Sequence, residues 1–282
     1  MNRLAVSNIA WRPDENEQAL ALLEELGVRG LEIAPGIAFS DEADPFQPSE
    51  AAVSDLRKRL ARRGLALISM QSLLFGLPGA ALFEGEEARV RFVAGLERAI
   101  RLAGRLGVPN LVFGSPASRR IPDGMELEHA EAIAAQTFGR LGDLCLAAGT
   151  RLSIEPNPQA YGTNYLTTMS EAGYAVRRLA HPGVALNFDL GALAMSDEVA
   201  QTGRWFGEFR DIVAHVHVSE PYLAPAPADE EAFRNASAAI LRQGYDGWFS
   251  IEMRGDEPDN LERLRTSVER AARALQATEI PL

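Results

Sequence analysis

Eight short apolar runs alternate with stretches of helical periodicity along this chain, and that alternation constrains the fold more than any other feature. The runs are Leu4–Ile9, Gly30–Ala34, Ala66–Gln71, Asn110–Gly114, Leu152–Glu155, Val184–Asp189, Ile212–Val218 and Trp248–Glu252. Their starts are spaced roughly 26 to 44 residues apart, enough each time for a strand, a helix and two loops. In the intervals, apolar residues recur at spacings of three and four. Val53, Leu56 and Leu60 precede Gly64, and Val90, Val93, Leu96 and Ile100 precede Gly107. Such spacing predicts one buried face per helix, and each closing glycine is a C-terminal stop. Later helices are expected near 129–148, 168–180, 196–209, 229–243 and 258–276. Strict alternation requires parallel strands, and eight units close most economically into a single (β/α)8 barrel domain over residues 1–282. A doubly wound open sheet would be expected to carry a glycine-rich phosphate turn after its first strand. The segment SNIAWRPDEN has no glycine there.

Composition narrows the function. The net charge is −11 with no basic stripe to offset it, which argues against a nucleic-acid partner. No apolar run reaches the length of a membrane span, and the N-terminus lacks the pattern of a signal peptide, so the expected compartment is the cytoplasm. The lone cysteine, Cys145, excludes a Cys-rich zinc site and reads as a small core residue. Lys58 is the single lysine and falls in the polar run LRKRLARR. A Schiff-base lysine needs a dry pocket, so class I aldolase chemistry is excluded.

The chemistry is concentrated at the ends of the last four runs. Strand five ends with Glu155, strand six with Asp189 and strand eight with Glu252, and His217 lies in strand seven. A barrel places its active site at these strand ends. Side chains alternate sides along a strand. With these four pointing inward, Ser153, Asn187, His215 and Ser250 point inward below them. Leu152, Ile154, Leu186, Phe188, Val216, Val218, Phe249 and Ile251 then face the helices. The same parity holds in all four strands. Any one of these residues alone would read as a loop cap, an ion-pair partner or a packed histidine. Together, three carboxylates in one barrel mouth repel one another unless a cation neutralises them. Three carboxylates and an imidazole suit one divalent ion, Mn²⁺ best, with Mg²⁺, Co²⁺ or Zn²⁺ as alternatives. Two octahedral positions would remain for adjacent substrate oxygens. The ion would act as a Lewis acid on a carbonyl. Glu155 and Glu252 would each serve as acid or base, giving isomerisation or epimerisation through an enediolate.

At SIEPN, NFDLG, HVHVSEP and SIEMR the sequence resembles the xylose-isomerase-like TIM barrel superfamily, the sugar phosphate isomerase/epimerase family, over nearly the whole chain. The resemblance implies one divalent metal, often manganese, on Glu155, Asp189, His217 and Glu252, with the two glutamates as the acid/base pair. Glu32 in GLEIAP looks like the family's second-strand glutamate, and a structural ion-pair role inside the barrel fits it equally. The pattern departs at two positions. Ala192 and Leu223 stand where the family's keto-sugar 3-epimerases carry a histidine and an arginine. A DNA-repair branch of the superfamily holds three zinc ions with additional histidines, and this chain has four histidines in all.

Other residues are candidates for the substrate pocket. Arg254 shares the parity of Glu252, at the rim, where a cation could hold a phosphate or carboxylate. Glu220 either binds sugar hydroxyls or caps its loop. Asn157 and Tyr161 lie in the loop after strand five, and Gln71 ends strand three. The expected substrate is a small sugar-like polyhydroxy carbonyl compound. The alternatives are a lyase on the same metal site, dehydrating or cleaving a keto-glycoside, and a non-catalytic sugar-binding barrel. Homo-oligomers are common in such barrels, and the sequence fixes no number.

Overall fold

The computed structural model describes residues 3–278. Eight parallel strands close into a barrel: β1 (Leu4–Ser7), β2 (Gly30–Ile33), β3 (Ala66–Met70), β4 (Leu111–Phe113), β5 (Leu152–Ile154), β6 (Val184–Asp189), β7 (Val213–Ser219) and β8 (Phe249–Glu252). They pair in sequence order, and β1 closes on β8 through Leu4↔Phe249, Ala5↔Ser250 and Val6↔Ile251. The helices are α1 (Asn16–Glu25), α2 (Pro35–Ala38), α3 (Glu50–Arg62), α4 (Glu86–Leu106), α5 (Leu127–Ala148), α6 (Met169–Leu179), α7 (Leu190–Met195), α8 (Thr202–Phe209), α9 (Glu230–Arg242) and α10 (Asn260–Gln276). This is a (β/α)8 TIM barrel, as the alternation of runs predicts.

Local chemistry sets the ends of these elements. Ser49, Thr168 and Asp229 each accept a backbone N–H at the start of α3, α6 and α9. Such a cap satisfies a donor that the helix itself leaves unpaired. Gly107 closes α4 in the left-handed region at φ 73°, a conformation that favours glycine.

Two environments follow from strand parity. Leu4, Val6, Leu111, Phe113, Leu186, Phe188, Phe249 and Ile251 are buried in the apolar layer between sheet and helices. The barrel axis is polar: Ser7, Glu32, Ser69, Asn110, Ser153, Asn187, His215 and Ser250 are all buried. Buried polar groups need partners. Ser153 donates to Asn110 Oδ1 at 2.5 Å, and Asn110 donates to Ser69 at 3.1 Å. The register of β6 against β7 shifts between Leu186 and Asn187. Asn187 then pairs with His215 and Asp189 with His217, bringing that carboxylate beside the imidazole.

Two expectations are corrected. Val90 does not belong to the buried face of α4 and is 62% exposed. The face that packs inward runs through Phe92, Leu96, Ala99, Ile100 and Ala103. The helix expected over 196–209 is shorter, since α8 begins only at Thr202, and a separate helix that was not expected, α7, starts directly after β6. The cause is Asp189, whose Oδ1 accepts the backbone N–H of Ala192 at 2.5 Å and so starts a helix at the strand end. Among the described residues no helix is long and apolar enough to cross a membrane.

Candidate metal centre

Glu155, Asp189, His217 and Glu252 are buried at the strand ends of β5 to β8, and one ligand atom from each lies within 4.8 Å of all the others. Nδ1 of His217 is 2.9 Å from Glu155 Oε1, 3.3 Å from Glu252 Oε2 and 3.6 Å from Asp189 Oδ2. The four residues that parity places together thus turn their donor atoms to one point.

Electrostatics make the cluster asymmetric. Burial opposes the charge of Glu155, yet hydrogen bonding and charge from His217, with Asn157 and Arg119 behind, hold its carboxyl below the ordinary range. Burial pushes the Glu252 carboxyl up to about 7; Glu155 and Asp189 add to the rise while His217 opposes it. Burial alone would lower His217, but Glu32 first, then Glu252, Asp189 and Glu155, raise it well above the usual imidazole value. Three buried carboxylates therefore converge on one proton-bearing imidazole. The donor set fits a divalent cation, which would offset both the burial of these carboxylates and the repulsion among them.

A further layer orients these groups. His217 Nε2 lies 3.1 and 3.2 Å from the two oxygens of Glu32, which leaves Nδ1 for the cluster. Glu32 is completely buried and also touches His215 Nε2 at 2.9 Å and Gln71 Nε2 at 2.7 Å. It therefore sits beside the cluster with its oxygens engaged by the barrel interior, in the ion-pair role that the sequence also allows. Glu155 Oε1 accepts from Asn187 at 2.7 Å and Oε2 from Asn157 at 3.0 Å. Ser219 donates to Asp189 Oδ2 at 2.7 Å.

The remaining candidates are spread around the mouth. Asn157 is buried against Glu155. Tyr161 accepts the backbone N–H of Tyr222 at 2.8 Å and meets its ring edge-on. Burial, together with the charges of Asp189 and Glu252, raises the Tyr161 phenol, so its hydroxyl stays protonated near the cluster. Gln71 donates to Ser7 and Glu32. Glu220 caps its own loop by accepting from the backbone N–H of Ala228 at 2.7 Å. Arg254 is 60% exposed and lies 3.6 Å from Asp256, and its backbone N–H is bonded to Leu223.

Arg119 was not anticipated. Its side chain is fully buried and donates to the Glu155 carbonyl at 2.7 Å and to Asn157 Oδ1 at 2.8 Å. Burial lowers it to about 10. In the sequence it is one of two adjacent arginines in SPASRRIP, and only the folded loop buries Arg119 while leaving Arg120 exposed. Ser219 was not anticipated either, although its parity, shared with His217, points it inward. At the end of β4, a side chain on Gly114 would strike Glu155 Oε2, with its Cβ only 2.5 Å away. Gly114 therefore leaves room for that carboxylate.

The sequence model of the xylose isomerase-like TIM barrel family matches residues 20–277. The chain matches none of the curated proteins in sequence. Among solved structures, a 3-keto-D-glucoside 4-epimerase from E. coli superposes with a TM-score of 0.80 at 15% identity, over 97% of this chain and 100% of that one. An L-ribulose 3-epimerase superposes with a TM-score of 0.76 at 17% identity, over 99% and 94% of the two chains. A D-psicose 3-epimerase, determined in the presence of D-fructose, gives 0.75 at 15% identity over 98% of each chain. At these identities the likeness is one of fold.

Proposed function

The chain belongs to the xylose isomerase-like TIM barrel family, and from that premise we propose that it is a divalent-metal-dependent isomerase or epimerase of a sugar or a closely related polyhydroxy carbonyl compound. The observation that carries this reading is the convergence of Glu155, Asp189, His217 Nδ1 and Glu252 on one buried point. These four would hold one ion, Mn²⁺ by its donor preference, and the ion would supply Lewis-acid polarisation of the substrate carbonyl.

The chain's own residues supply the proton transfers. Glu155 is held ionised by His217, Asn157 and Arg119, which suits a base that removes the proton from the carbon beside the carbonyl. Glu252 has the raised carboxyl, which suits a group that holds a proton and returns it. The two glutamates come from β5 and β8, so each reaches the cluster from its own strand. Return to the same carbon from the opposite face inverts it, and return to the neighbouring carbon moves the carbonyl.

The test is solvent exchange. Protein loaded with Mn²⁺ and given a keto-sugar in D₂O should incorporate deuterium at a carbon next to the carbonyl. Glu155→Gln and Glu252→Gln should each lose this exchange. Product formed without any solvent deuterium would overturn the proton-transfer reading.

A further inference from the structure

A pocket of about 350 Å³ opens beside the metal centre, between the loops that follow β3 and β4. Glu155 and Gly114 lie at its inner end. Ser72, Leu74 and Phe75 form one wall, and Ser115, Ala117 and Ser118 the other. Its size falls at the lower end of the range for small-molecule sites.

Glu155 is the boundary between this pocket and the cluster. Its Oε1 faces His217 Nδ1 at 2.9 Å, while Oε2 lies against Gly114 and is held by Asn157. The pocket therefore adjoins the cluster across Glu155, within reach of a molecule anchored there.

The walls define what the pocket suits. Phe75 is 67% exposed and its ring packs on one side against Gly36, where a Cβ would come within 3.1 Å of the ring. Arg98 from α4 donates to the Phe75 carbonyl at 3.0 Å and holds the turn from beneath. An aromatic face open to a pocket suits the C–H face of a sugar ring, and the serines and Gln71 suit its hydroxyls. Each wall also holds a non-glycine residue in the left-handed region, Ser72 at φ 58° and Ser115 at φ 43°. Backbone in that region is held by its surroundings and clusters at ligand-binding sites.

We propose that this pocket is a subsite for a second sugar ring, so that the substrate is a keto-glycoside rather than a free keto-sugar. The inference rests on the proposed function for where the reacting ring sits. The experiment is calorimetry on the Mn²⁺-loaded protein with a matched pair of probes, 3-keto-glucose and a 3-keto-glucosyl-glucose disaccharide. The disaccharide should bind at least tenfold more tightly. Phe75→Ala, and Ala117→Trp as a plug on the opposite wall, should each bring the ratio of the two affinities close to one. Equal affinities for the two probes would overturn the subsite, as would a ratio that neither variant changes or a failure of the disaccharide to bind. Binding is read without turnover, so a protein that prefers the disaccharide but exchanges no solvent hydrogen keeps the subsite and loses the proposed reaction.

Discussion

Glu32 and Arg119 act at one remove from the cluster, and each makes a separate prediction. Glu32 holds Nε2 of His217 and so presents Nδ1 to the three carboxylates. Partners of this kind are worth roughly 10–100-fold in metal affinity. Glu32→Gln should weaken Mn²⁺ binding by at least tenfold in calorimetry, and unchanged affinity would remove Glu32 from the account. Arg119 pulls on the Glu155 carbonyl and on Asn157, yet its Nε and Nη1 are buried without hydrogen-bond partners. Losing the two bonds and relieving the two unsatisfied donors oppose each other, at about 1–3 kcal/mol for each group. Arg119→Met should therefore change stability little and lower kcat about tenfold. A large fall in melting temperature with kcat intact would assign it a structural role alone. Protons matter at the same scale. A metal ion must displace the protons that the raised His217 and Glu252 carry. Mn²⁺ affinity should thus rise with pH, steeply through about 7 where Glu252 ionises, and fall below it. Affinity that is flat between pH 6 and 8 would contradict the electrostatics described.

At the scale of elements, the strands were legible and the helix faces less so. A strand has a period of two, so one polar residue at its end fixes the direction of all the others. The structure buries His215 and Ser250 on the barrel axis and Phe249 and Ile251 against the helices, as parity requires. A helix offers two apolar stripes when valines and leucines are scattered, and α4 illustrates the ambiguity. Val90, Val93 and Leu96 share a spacing, but the docked stripe is set by Phe92 and the small residues Gly95 and Ala99. A side chain on Gly95 would overlap Leu77 and Leu74, so close packing against that loop decides which way α4 turns. Leu96→Ala should cost about 2–5 kcal/mol in chemical denaturation, whereas Val90→Ala should stay within about 0.5 kcal/mol. Equal costs would contradict the packing described. The start of α7 was hidden for a related reason. Asp189 is at once the end of β6, a helix cap through Oδ1 and a member of the cluster through Oδ2, and a sequence pattern assigns one role at a time. Arg119 was hidden because burial of a loop arginine depends on residues 36 and 38 positions away, Glu155 and Asn157.

At the scale of the molecule, the barrel holds its apolar layer outside the sheet and a polar column inside it. That column ends at a concentration of buried negative charge in a chain already at −11. Such a design stores repulsion that an ion relieves, so binding and stability are linked. Chelation should lower the melting temperature, and Mn²⁺ at a hundredfold excess over its Kd should add about 2.7 kcal/mol. The central claim is that Glu155, Asp189, His217 and Glu252 form one ion site, and titration calorimetry with Mn²⁺ on the chelator-stripped protein tests it most directly. One equivalent should bind per chain, and His217→Ala and Asp189→Ala should each abolish that binding while the barrel remains folded by circular dichroism. No bound ion, or one equivalent bound unchanged in both variants, would contradict it.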